Sequence, residues 1–301
     1  MQFKEFMGPD FSAAFGLLYS WAGRHQEAKA LRISALARWR SLQGNDDLNT
    51  LDLMQNLGVT YCNLGQLEEA EELQAVVLDS RRAILGKAHP KTLDAMYNLG
   101  VIYSRLGQLQ KAEELELAVV EKRRNILGPD HLDTLSAMRN LAITYRRLGQ
   151  FEKAEELGLV VMEKRRGILS ADHLGTLSAM QNLALTYGEL GQFQKAKELG
   201  LVVLEKQRTI LGLDHLDTLE AIHNLAVTYN KLGLFEDAQR LQTEVMPKFR
   251  TILGDNHPYT ILSIGNLAVT YRALGKVAEA EDLEALLPHD EKDTSASQAP
   301  E

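Results

Sequence analysis

Cysteine is almost missing from this chain: Cys62 is its single thiol. That excludes a disulfide framework within the chain and fits a reducing compartment. No stretch approaches the roughly 18 apolar residues that a membrane span needs. Residues Met1 to Phe6 lack the apolar run of a signal peptide. Positive charge is in deficit, with 33 Lys and Arg against 41 Asp and Glu and a net charge of -8. Non-specific nucleic-acid binding is therefore a poor expectation. The Gly-x-x-x-x-Gly-Lys-Ser/Thr phosphate loop and the His-Glu-x-x-His zinc motif are both absent. Nothing around Cys62 specifies a nucleophilic triad. The expectation is a soluble protein, cytoplasmic or nuclear by default and assigned here to the cytoplasm. No enzymatic activity, cofactor, metal, membrane or nucleic-acid partner is expected.

What is present is a repeat. Tyr61, Tyr103, Tyr145, Tyr187, Tyr229 and Tyr271 lie 42 residues apart, and each is followed four residues later by glycine, Gly65 to Gly275. Tyr19 and Gly23 extend the series towards the N-terminus. A fixed period of this size signals a solenoid in which each unit touches only its neighbours. In the unit that begins near Leu127, the residues Leu135, Met138, Leu141, Ala142, Tyr145 and Leu148 recur at spacings of three and four, one face of a helix. Gly149 is the expected C-cap. Phe151, Ala154, Leu157, Val161, Ile168 and Leu169 keep the same rhythm in a second helix. Glu152, Glu155 and Glu156 near its start and Lys164, Arg165 and Arg166 near its end complement the helix dipole. Each unit is thus predicted to be an antiparallel pair, helix A then helix B.

Five histidines recur in the B-to-A connections: His89, His131, His173, His215 and His257. Equivalent residues in stacked repeats lie on the order of 10 Å apart, whereas zinc ligands converge to about 2 Å from one ion. Helix-start capping is the expectation. The arginine pairs Arg81-Arg82, Arg123-Arg124 and Arg165-Arg166 are expected to serve the ends of the B helices. The run from Glu68 to Glu72 reads as a solvated helix start.

The pattern Asn-Leu-Ala-x-x-Tyr-x-x-Leu-Gly-x-x-x-x-Ala-Glu, as in Asn140 to Glu155, resembles the tetratricopeptide repeat. The 42-residue unit with Leu-Gly-x-x-His-(Pro)-x-Thr between pairs is similar to the subtype in kinesin light chains, and to repeats of STAND-type NTPases. The fold this implies is an all-α, right-handed superhelical solenoid of about seven helix-turn-helix units. A divergent first unit spans 1–44, six regular units span 45–287, and a disordered polar tail spans 288–301. No polar capping helix follows the seventh pair, as expected of a piece of a longer protein.

The resemblance implies that helix A lines a concave groove that binds partner proteins. Residues 121–162 and 163–204 are near-duplicates, and four of their differences fall on one face of helix A: Arg139/Gln181, Ile143/Leu185, Arg146/Gly188 and Arg147/Glu189. One of these columns holds Tyr97 and His223 in other repeats, and another holds Arg105. On the same face Asn56, Asn98, Asn140, Asn182, Asn224 and Asn266 do not vary. Asparagine is a mediocre helix-interior residue. Either each one fixes the stacking register through a neighbouring helix, or the six form a ladder of amides that holds a peptide backbone. Rungs roughly 10 Å apart match about three residues of extended chain. Arg105, Arg139, Arg146 and Arg147, with Tyr97 nearby, favour an acidic or phosphorylated segment, unless they pair internally with Asp94, Glu189 or Glu220. The expected function is a protein-binding scaffold or adaptor of kinesin light chain type. The alternative is the sensing arm of a STAND-type NTPase.

Overall fold

The computed structural model describes residues 24–287. The expected first helix of the divergent unit, with Tyr19 and Gly23, and the tail at 288–301 lie outside the described residues. Among those described, thirteen helices and no strand occur: α1 His25–Gln43, α2 Leu48–Asn63, α3 Leu67–Leu85, α4 Pro90–Arg105, α5 Leu109–Leu127, α6 Leu132–Arg147, α7 Phe151–Leu169, α8 Leu174–Glu189, α9 Phe193–Leu211, α10 Leu216–Lys231, α11 Phe235–Leu253, α12 Pro258–Ala273 and α13 Val277–Glu284. The even-numbered helices are the A helices and the odd-numbered ones the B helices. The chain divides into two compact units, Met1–Gln150 and Phe151–Glu301. Within each, every described helix packs against the next in sequence.

Short-range chemistry sets the boundaries. The histidines are N-caps: the Nδ1 atoms of His89, His131, His173, His215 and His257 accept from the backbone N–H two residues on, at 3.0–3.2 Å. Asp47 does the same for α2 with its carboxylate, at 2.9 Å from Asn49 N and 3.0 Å from Thr50 N. The Tyr-x-x-x-Gly spacing has an equally local cause. Each glycine of the A-to-B turn takes a positive φ of 71–77°. The next N–H then donates to the carbonyl of the repeated tyrosine, as in Gln66 to Tyr61 and Gln150 to Tyr145, both 2.9 Å. This is a Schellman closure.

The B-to-A connection begins on a stricter geometry. Gly44, Gly86, Gly128, Gly212 and Gly254 have φ of 87–94° and ψ of 162–178°, a region open essentially to glycine alone. At the sixth equivalent place stands Ser170, with φ 103°. Ser170→Gly is expected to stabilise the chain by about 1 kcal/mol and raise Tm by roughly 2–4 °C. Gly128→Ser is expected to lose as much. Circular dichroism melting curves check both; an unchanged Tm for Ser170→Gly would contradict the strain.

The core follows the expected face of helix A. Leu135, Met138, Leu141, Ala142 and Tyr145 are all buried. Helix B departs from expectation in its last turn. Ile168, assigned to the apolar stripe, is 49% exposed, and Arg165 is 5% exposed. For the arginine the reason is a carbonyl. The last turn of B abuts the start of the following A helix, and Arg165 Nη1 donates to Gly175 O there at 2.8 Å, using that carbonyl's second lone pair. Arg81 and Arg123 do the same for Lys91 O and Asp133 O. They also pair with Asp52 at 2.5 Å and Asp94 at 2.6 Å. The first arginine of each pair is therefore a buried strut rather than a surface charge. In the next unit Gln207 takes this place, and then Phe249, stacked on Tyr259 with centroids 5.6 Å apart.

A second polar column lies in the middle of helix B: Arg32, Gln74, Glu116, Gly158, Gly200 and Gln242. Gln74 and Glu116 each face a glycine of helix A, whereas Gln242 faces Ala226. A Cβ on Gly58 would sit 2.8 Å from Gln74 Nε2, and one on Gly100 would sit 3.0 Å from Glu116 Cγ. Gln74 is satisfied by donating Nε2 to Gln55 O at 2.9 Å.

Candidate peptide-binding face

The six asparagines share one face of the A helices but not one partner. Asn182 Nδ2 donates to Ser178 O of its own helix at 2.9 Å. Asn266 Nδ2 lies 3.3 Å from His223 Nε2 on the preceding A helix. The buried Nδ2 of Asn224 has no hydrogen-bond partner. Asn140 is buried, whereas Asn56 and Asn98 are half-buried. No single register bond repeats along the series.

The arginines divide as well. Arg105 Nη1 donates to Cys62 O at 2.8 Å and lies 3.2 Å from Cys62 Sγ. Arg147 Nη1 donates to Ser104 O, with Ser104 Oγ at 3.3 Å. Each reaches back to the C-terminal carbonyls of the preceding A helix, where a cation is favoured, and each remains exposed. Arg139 and Arg146 are half-buried on α6. Tyr97 carries the Arg123 guanidinium over its ring, 5.0 Å from the centroid. Asp94, named above as an internal partner for these arginines, accepts from Arg123.

His223 is 6% exposed, and burial pushes its pKa down to about 4. The ring is neutral at physiological pH. It meets the Phe249 ring edge-on, with centroids 6.2 Å apart. Glu116 is the converse case. It is 2% exposed, neither carboxyl oxygen has a hydrogen-bond partner, and burial pushes its pKa up to about 7. The nearby Glu113 charge adds to the rise and the Thr144 hydroxyl opposes it.

The second unit holds a cavity of about 150 Å3 between α8, α9 and α10. Gln181, Leu185, Gly188 and Glu189 all line it, and these are four of the five α8 positions that distinguish the near-duplicate units, the fifth being Gly175 at the helix start. Asn224 of the invariant series and Lys231 line it too. The residues that vary and one that does not thus meet around one void. The sequence reading found the α8 side of this site and missed the α9 side, Gly200. Its signal was there in the helix B column, where glycine replaces Gln or Glu. Among the described residues no group of three or more His, Cys, Asp or Glu is placed to hold a metal ion. Among the same residues no helix is long and apolar enough to cross a membrane.

Comparison with known proteins agrees with this architecture. No curated protein sequence matches the chain. A candidate kinesin light chain of Podosopora anserina, described as having nearly identical TPR-like repeats, is 30% identical, with 72% of this chain and 97% of that chain covered and a TM-score of 0.55. The quorum sensor NprR of B. thuringiensis is 15% identical, over 94% and 88% of the two chains, with a TM-score of 0.62. A STAND protein of Pyrococcus horikoshii with a tetratricopeptide repeat sensor is 16% identical, covering 95% of this chain and 42% of that one, with a TM-score of 0.59. Tetratricopeptide repeat profiles match residues 11–82, 55–121, 117–166, 176–217 and 217–285. The chain belongs to the tetratricopeptide repeat family.

Proposed function

We propose that this protein is a non-enzymatic interaction scaffold that binds peptide segments of partner proteins along the face lined by its A helices. The observation that carries the reading is the cavity in the second unit, where four of the five helix A differences between the near-duplicate units line one void beside Asn224. A purely structural face would have no reason to concentrate its variation there. The asparagines act on the peptide backbone, and the neighbouring variable positions act on its side chains. Arg105 and Arg147 each spend one donor group on a carbonyl. A guanidinium has five N–H donors, so each keeps donors for a carboxylate or phosphate in the first unit. The peptide favoured there is acidic or phosphorylated.

The adaptor role, of kinesin light chain type, is the main reading. The alternative, the sensing arm of a STAND-type NTPase, is favoured by near-duplicate units that differ at four positions on one face of helix A. A nucleotide-binding motif in the same gene would decide for the sensor, and a heptad coiled coil for the adaptor.

Peptides selected from a random display library on the intact protein test the binding reading. Asn98→Ala and Asn224→Ala are expected to lose about 0.5–1.5 kcal/mol of affinity with Tm unchanged. Asn182→Ala is expected to lose less, since its amide already has a partner. Failure to select any peptide, or selected peptides indifferent to all three substitutions, would overturn the reading.

A further inference from the structure

The cavity of the second unit exists because side chains are missing from it. Gly200 occupies the column that Gln74, Glu116 and Gln242 fill with buried side chains in other repeats. Gly188 stands where Arg146 and Asn230 stand in the flanking A helices. The space left is lined by Ala184, Leu185, Phe193, Val203 and Leu225, among others. An apolar cavity of about 150 Å3 is large enough for a benzene-sized group, and an isobutyl side chain is smaller. The polar lining comes from Gln181, Glu189, Asn224 and Lys231. Glu189 and Lys231 are exposed and mark the open side. Their opposite charges select neither an anion nor a cation at this position. Asn224 brings a donor that folding has desolvated without giving it a partner. Its terminal torsion is soft, so the amide can turn towards a ligand.

Resting on the peptide-binding reading of this face, we infer that the cavity between α8, α9 and α10 is the anchor pocket for one leucine-sized aliphatic side chain of an extended peptide. Asn224 donates to the main-chain carbonyl beside that side chain. Recognition here is by shape and apolar burial, and it complements the charged recognition of the first unit.

The test uses two small probes, N-acetyl-leucine methylamide and its alanine counterpart, titrated into the isotope-labelled intact protein and followed by NMR. The leucine probe should give saturable shifts at the Gly188 and Gly200 amides and the Asn224 side-chain amide. It should bind about tenfold or more tighter than the alanine probe, because it buries three more carbons. Gly188→Leu should abolish the saturable shifts. A Cβ at Gly188 meets nothing within 4 Å, and removing a helical glycine favours folding, so this variant closes the pocket without unfolding the chain. Asn224→Asp, which replaces the donor with an acceptor, should weaken both probes by the same factor and leave their ratio unchanged. No saturable shift in the wild type, equal binding of the two probes, or unchanged binding in Gly188→Leu would overturn the anchor pocket. If the probes fail while display-selected peptides still depend on Asn98, the pocket falls and the peptide-binding face stands. If those peptides fail too, both fall.

Discussion

At pH 8, Glu116→Gln is expected to make the protein more stable by about 3 kcal/mol, the equivalent of moving a carboxyl pKa from 4.5 to about 7. The sign follows from where the proton goes. The folded-state pKa is raised, so stability that is fully present below pH 4.5 is lost as pH rises through 4.5 to about 7, where folding must bury a charge or hold a proton. Glutamine removes the titration. It also finds partners already rehearsed elsewhere in the chain. Gln74, one repeat earlier, donates Nε2 to Gln55 O at 2.9 Å, and Gln242 Oε1 accepts from Thr270 Oγ1 at 2.6 Å. The corresponding groups around residue 116 are Tyr97 O and Thr144 Oγ1. Urea unfolding of the two proteins at pH 5 and pH 8 measures the effect. The wild type should lose stability relative to the variant across that interval. Parallel pH profiles would show that Glu116 is solvated after all.

His223→Gln should show the opposite pH signature. The folded-state pKa of His223 is depressed to about 4, so its contribution is fully present above pH 6.5 and is lost as pH falls through 6.5 to about 4. The loss amounts to roughly 2 kcal/mol at pH 5 and about 3 kcal/mol at pH 4. Glutamine is the residue of the same column at Gln55 and Gln181, so the substitution keeps an amide at the site and removes the titration. The variant gives up the edge contact with Phe249 and is expected to be slightly less stable than wild type at pH 8 but more stable at pH 4. Denaturation midpoints at pH 8 and pH 4 check the crossover. Without it, His223 would be protonated in place and paired. Glu116 lies in the first unit and His223 in the second, so acid is expected to weaken the second unit while it relieves the first.

The fold was legible because two periods coincide in the sequence. The 42-residue spacing of Tyr145 and its equivalents marks the unit, and the three-and-four spacing from Leu135 to Leu148 marks the helix within it. The capping role of His89 and its equivalents followed from their place before each A helix and from the distance between repeats. Arg165 was harder. A charged side chain at a helix end reads as solvated, and its burial depends on a carbonyl ten residues further on, at Gly175. Ile168 was misplaced as well: Ile210 and Ile252 are exposed in the same column, where Gln207 and Phe249 replace the arginine, so the face of this turn and not the arginine sets its exposure. The cavity could be only half read. Gln181, Leu185, Gly188 and Glu189 announce themselves by differing from a near-copy, but a void is made by atoms that are missing. Gly200 shows its effect only when α8, α9 and α10 are assembled around it. The asparagine series was legible as a series, while the partner of each amide is set by residues that differ from repeat to repeat.

The buried arginines bear on how such a chain can grow. Arg81, Arg123 and Arg165 cross from one helix pair to the next by bonding the main-chain oxygens of Lys91, Asp133 and Gly175, three residues with nothing in common except the backbone. Within a pair, fit is more particular: a Cβ on Gly58 would sit 2.8 Å from Gln74 and one on Gly100 would sit 3.0 Å from Glu116. A genetic breakpoint in the B-to-A connection therefore joins halves through a contact that any residue can make. A breakpoint in the A-to-B turn would part these matched residues. Exchange in whole helix pairs thereby keeps each matched glycine and side chain together.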